Sequence, residues 1–198
     1  MLLANNPFTQ GLGQNIFGGI KRKVFISRYH GDEYEVQEFV EKWKNVFTPR
    51  MIGVNDEDDF IDSDDPVYVM SQIRKKYLQD TSVTIVLIGS CTHSRRYVDW
   101  EIKASLRQTL GSLPNGLIGI LLPSQGNSAY LPPRLQENWN SQNKDCYARY
   151  YAAPTTTSQL RNWIEDAFSA RTLRAKYIKN SSDMMKYNSV CEVCGKTH

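Results

Sequence analysis

The run SVTIVLIG at residues 82–89 constrains the fold more than any other stretch of this chain. It is apolar almost throughout and does not alternate. A strand with that pattern is covered on both faces, as at the centre of a parallel sheet. Parallel neighbours need crossover connections, usually helices, so the flanking chain should alternate between strand and helix.

It does. Residues 23–27, KVFIS, read as a short buried strand. Asp32 offers a helix N-cap with Glu35 at capping-box spacing. Val36, Phe39, Val40 and Trp43 then recur at the i, i+3, i+4, i+7 spacing of one helical face. Residues 50–54 suggest a second strand, and residues 55–65 form a loop with six Asp and one Glu. Asp65-Pro66 fits an N-cap followed by proline at the first helical position, and Val69, Met70, Ile73 and Tyr77 line the helix that follows. After residues 82–89, Ser94 is the expected N-cap of a helix over 95–110. Residues 117–122 read as a strand, 123–145 as loop, 146–152 as a last short strand, and a long helix starts near Ser158. The sum predicts an α/β, flavodoxin-like doubly wound parallel sheet of about five strands with helices on both faces. Its expected organisation is an N-terminal arm at 1–20, an α/β domain at 21–179 and a Cys/His-containing tail at 180–198.

Length and composition bound the function. The 198 residues, 40% hydrophobic and 23% charged, suffice for one domain with a core. The net charge of +3 suits anionic small ligands, and the scattered basic residues argue against a nucleic-acid surface. No apolar run approaches the about 20 residues of a membrane span, and the first residues lack the pattern of a secretory signal. Four cysteines are too few for a disulfide-dense secreted scaffold, so a cytoplasmic location is expected. The glycines at 11, 13, 18 and 19 follow no predicted strand and make a poor phosphate loop.

In open sheets, ligands bind beyond the carboxyl ends of the strands. That rule selects loops 27–32, 55–65 and 89–96. Glu101 is the most informative residue nearby. Val98, Ile102 and Leu106 form an apolar stripe, and Glu101 borders it in the first turns of its helix. A half-buried carboxylate there should be partly desolvated, which raises its pKa. It can hold a ribose hydroxyl or steady a cation-like sugar. The plainer reading is a boundary glutamate paired with Lys103 or Arg107. Arg95 and Arg96 occupy a helix start that disfavours cations, which suggests either an anion such as pyrophosphate at that end or pairing with the acidic loop. Ser27, Arg28, Tyr29 and His30 place a hydroxyl, a guanidinium, a ring for stacking and an imidazole directly after the first strand. Trp100 is either core or pocket wall.

The tail holds Cys191, Cys194 and His198 at metal-ligand spacing. A structural zinc there needs a fourth ligand, with Cys146, Cys91, His93 or a second chain as the choices.

The stretch from Thr81 through Gly89-Ser90, Arg95-Arg96 and Tyr97-Val-Asp-Trp-Glu101-Ile102 resembles the TIR-like domains of bacterial Thoeris anti-phage defence, the ThsB type. KVFIS at 23–27 with Asp32 resembles that family's start. The resemblance spans about residues 21–122. It implies NAD⁺ as substrate and no catalytic cofactor, with cleavage at the nicotinamide–ribose bond and a cyclic or conjugated ADP-ribose product. It further implies that Glu101 is catalytic, that the loop from Ser27 to Asp32 lines the nucleotide pocket, and that a partner effector reads the signal. A phage-derived trigger and a homo-oligomer are expected with it. The competing expectation is a non-catalytic signalling module in which Glu101 is structural.

Overall fold

The computed structural model describes residues 21–52, 63, 65–108, 111–140, 142 and 145–197. The arm at 1–20, nearly all of the acidic loop, and His198 lie outside the described residues.

Five strands form one all-parallel sheet: β1 (Lys23–Ser27), β2 (Thr48–Arg50), β3 (Val83–Ile88), β4 (Gly116–Leu121) and β5 (Arg149–Tyr151), in the order β2-β1-β3-β4-β5. This is the flavodoxin-like α/β arrangement that the sequence predicts. Every residue of β3 and β4 is buried, which explains their unalternating apolar sequence. On one face, α1 (Glu33–Trp43) and α5 (Thr157–Leu173) cover Val24, Ile26, Ile85, Leu87, Ile118 and Ile120. On the other face lie α2 (Pro66–Ile73), α3 (Arg96–Ser105) and α4 (Pro133–Asn138), packed over Phe25, Val86, Ile88, Leu117 and Leu121. Gly116 lets α5 approach β4 closely, because a Cβ there would stand 2.0 Å from the Ala167 carbonyl oxygen. No helix among the described residues is long and apolar enough to cross a membrane.

Helix stripes follow their spacing. Val36, Phe39 and Trp43 are buried on α1, Val69, Met70 and Ile73 on α2, and Val98 and Ile102 on α3. Helix starts obey local chemistry less regularly. Asp65 caps α2 through Val67 N–H, and Thr156 caps α5 through Gln159 N–H. Asp32 stands at the start of α1 but makes no side-chain cap there. Its carboxylate accepts from the Thr92 hydroxyl (3.2 Å) instead, and Glu35 accepts from the Ser124 N–H, so the capping box does not form.

Several boundaries differ from expectation. β2 is Thr48–Arg50 rather than 50–54, of which residues 53 and 54 are not described. α3 begins after Arg95, not Ser94, because Ser94 turns its hydroxyl back onto the Cys91 carbonyl within a short 3₁₀ turn. α4 lies inside the region read as loop. Proline at its first position pre-sets the helical φ, and its Arg134 and Leu135 are buried.

The segment after residue 180 runs along α3. Trp100 Nε1 donates to Met185 O (2.8 Å), Lys103 Nζ to Ser182 O (2.7 Å), and Met185 N–H to Asp99 Oδ2 (3.0 Å). Arg134 reaches the same segment at Ser182 and Asp183 while pairing with Asp99. These bonds satisfy the polar groups of a stretch that has few apolar residues of its own.

Candidate functional site

The strand order reverses direction between β1 and β3, and the carboxyl ends of those strands open on a cleft of about 240 Å³. A crevice at such a switch point is where doubly wound sheets bind ligands. Arg28, Tyr29 and His30 from the β1 loop line one side. Arg95, Tyr97, Val98 and Glu101 from α3 and its approach line another, with Val69 and Ile73 of α2, Ile52 and Asn188 closing the remainder. The volume lies below the 300–1,000 Å³ usual for small-molecule sites.

Glu101 sits in the first two turns of α3, beside the stripe that anchors that helix to the sheet. It is 8% exposed. Its Oε2 accepts a 2.5 Å hydrogen bond from Ser27 Oγ, at the last residue of β1. Burial pushes its carboxyl up to about 7, against the opposing pull of the Ser27 bond and the Arg28 charge. The group is therefore poised to titrate near neutrality, as acid–base and electrostatic catalysts commonly are.

The cations around it are held in place. Arg28 is nearly buried, with Nε on Glu33 Oε2 (2.8 Å) and Nη1 on Ile52 O (3.0 Å). The Arg95 guanidinium lies 4.5 Å from the Tyr29 ring centroid, and its Nε donates to Cys91 O. His30 has its pKa lowered, by burial first and then by Arg28. The Glu33 charge opposes that shift.

The other expected site residues lie elsewhere. Asp32 sits over Gly89, where a Cβ would come within 2.2 Å of its carboxylate. Burial raises its pKa, and the Thr92 bond opposes that rise. It links the β1 and β3 loops and does not line the cleft. Arg96 turns away, donating to Lys186 O and the Tyr97 hydroxyl, with the Trp100 ring 5.3 Å from its guanidinium. Trp100 is 1% exposed among Phe25, Val69 and Ile73, so it is core rather than wall. The amide end of α3, which sequence reading offered to a pyrophosphate, is capped by Asn188: Arg96 N–H donates to its Oδ1 at 2.9 Å.

Asn188 carries no sequence signal, since its partner lies 92 positions away. Tyr97 was within reach of sequence reading, one turn before Glu101 on the same helix. Cys191 and Cys194 converge with Cys91, the three sulfurs lying within 4.8 Å of one another. Cys146 is apart, directed at Ala148 O, and His93 pairs with Glu192.

Strand order and the position of the cleft define a domain of the flavodoxin-like α/β class. The family model described as Thoeris protein ThsB, TIR-like domain, matches residues 25–127, just over half of the chain, and the chain belongs to that family. Membership implies a role in anti-phage defence and a partner effector protein. No curated protein matches the chain.

Proposed function

We propose that this domain cleaves NAD⁺ at the nicotinamide–ribose bond and makes a cyclic or conjugated ADP-ribose signal for an effector of the same defence system. The observation that carries the reading is a buried carboxylate, Glu101, with its pKa raised to about 7, lining a cleft at the β1/β3 switch point.

The chemistry follows from charge. Nicotinamide departs with the electron pair of the C1′–N bond, which leaves an oxocarbenium-like centre on the ribose. The ionised Glu101 stabilises that centre and accepts hydrogen bonds from ribose hydroxyls, in surroundings dry enough to make the field strong. Water as acceptor gives ADP-ribose and a proton. An internal hydroxyl or base nitrogen gives a cyclic product. Tyr29 and Tyr97 offer faces for a planar ring, and Arg28 and Arg95 offer positive charge to phosphates at the cleft's edge. Arg96, Trp100 and Asp32 act from outside, by holding α3 and the loop after β3. No cofactor is needed for these steps. A phage-derived trigger and a second copy of the chain would account for the remaining enclosure of a full dinucleotide.

The test is to incubate the purified chain with NAD⁺, alone and with lysate of phage-infected cells, and to identify products by chromatography and mass spectrometry. Release of nicotinamide with an equal amount of an ADP-ribose species is expected. NAD⁺ left intact under every activating condition would show a signalling module with no catalysis of its own.

A further inference from the structure

We propose that Cys91, Cys191 and Cys194 form a three-thiolate metal site of the zinc type that fastens the C-terminal segment onto the amino end of α3. Cys91 stands in the loop between β3 and α3, a hundred positions from the other two. Its Sγ lies 3.0 Å from that of Cys191 and 3.5 Å from that of Cys194. Around a tetrahedral zinc with Zn–S near 2.3 Å, sulfurs stand about 3.8 Å apart. Sulfur shifts of less than about 1 Å convert the observed cluster into three corners of that tetrahedron. A disulfide would consume two of these thiols and strand the third, whereas all three converge.

The backbone is shaped for this. Gly195 adopts φ 69°, its N–H donates to Cys191 O (2.8 Å), and Cys191 N–H donates to Lys196 O (2.9 Å). This closed turn presents both tail sulfurs to one side, facing Cys91. Cys91 and Cys191 are buried, which keeps competing water away from the thiolates.

The site has a consequence for the cleft. Asn188, three residues before Cys191, caps α3 and forms part of the cleft wall, and Ser189 N–H donates to Ser94 O (3.0 Å). A metal that ties Cys191 and Cys194 to Cys91 fixes that segment in place. The metal site stands on geometry alone, while its effect on activity rests on the NAD⁺ reading above.

The test uses the full chain, reduced and stripped with a chelator, then titrated with cobalt(II) and afterwards zinc(II). One cobalt per chain is expected, with a thiolate-to-metal charge-transfer band of three-sulfur intensity that zinc abolishes. Cys146→Ser should leave it unchanged. Cys194→Ser, at an exposed position, should weaken zinc by at least about tenfold, the loss that removal of even an outer-shell partner brings. Zinc should also slow amide exchange over residues 184–197. No stoichiometric uptake by the reduced chain overturns the proposal, as does a Cys194→Ser variant that binds as tightly as the parent. Metal uptake with no nicotinamide release in either form sustains the metal site and counts against the NAD⁺ reading alone.

Discussion

The Ser27 hydroxyl donates a 2.5 Å hydrogen bond to the Glu101 carboxylate across 74 positions of sequence. One partner ends β1 and the other rises from α3, so the bond ties the first strand to the helix that follows β3, across the switch point. It also tunes the acid, because a donor to the charged form opposes the rise that burial causes.

Removing that donor therefore raises the pKa of Glu101 beyond about 7. A ¹³C-NMR titration of the Glu101 side-chain carboxyl should show a midpoint near 7 in the parent chain and a higher one in Ser27→Ala. A midpoint that stays put or falls would mean that the hydroxyl does not act on the ionised form.

The same shift has a stability cost with a definite sign. The folded-state pKa is raised from 4.5 to about 7, so the folded chain favours the neutral acid. Its stabilising effect is complete below about pH 4.5 and is lost as pH rises through about 7. At 1.36 kcal/mol per unit, holding the ionised group above pH 7 costs on the order of 3 kcal/mol. Glu101→Gln should accordingly raise the denaturation midpoint at pH 8 and change it little at pH 5. Equal effects at both pH values would place the carboxylate in a solvated setting.

Arg134 and Asp99 are 1% and 4% exposed at their side chains and pair through two hydrogen bonds of 2.8 and 3.3 Å. Breaking a buried pair from one side strands a charge and typically costs about 3–5 kcal/mol. Arg134→Met should lose about that much in urea denaturation, while Asp99→Ala combined with Arg134→Met should lose less than the single variant. A double variant that loses the full sum would show two independent contributions and no stranded charge.

Sequence reading reached these conclusions unevenly, for physical reasons. The apolar runs that become β1, β3 and β4 are legible because burial on both faces leaves no alternative composition. Glu101 is legible because its helix is amphipathic and the carboxylate borders the buried stripe. Asn188 is not legible as a partner of α3, and Cys91 is legible only as one of several choices of ligand beside the CxxC turn. Their contacts join residues about 90 to 100 apart, where periodicity carries no information. Trp100 and Arg96 were ambiguous because a polar segment from the far end of the chain covers α3. Its carbonyls take up the indole N–H and the guanidinium that a ligand would otherwise meet. Helix α4 was hidden by the prolines that start it, which also mark loops.

On the proposed reading, the charge of Glu101 speeds departure of nicotinamide by stabilising the positive centre on the ribose. Nicotinamide release should be measured at pH 8 under saturating NAD⁺ and activating conditions, beside NAD⁺ binding, for the parent chain, Glu101→Asp and Glu101→Gln. Removing a preorganised charge or catalytic acid–base group of this kind costs about 10²–10⁴ in rate. A fall of that size is expected in Glu101→Gln with binding largely kept, and a smaller fall in Glu101→Asp. Release by Glu101→Gln at the parent's rate would contradict that reading.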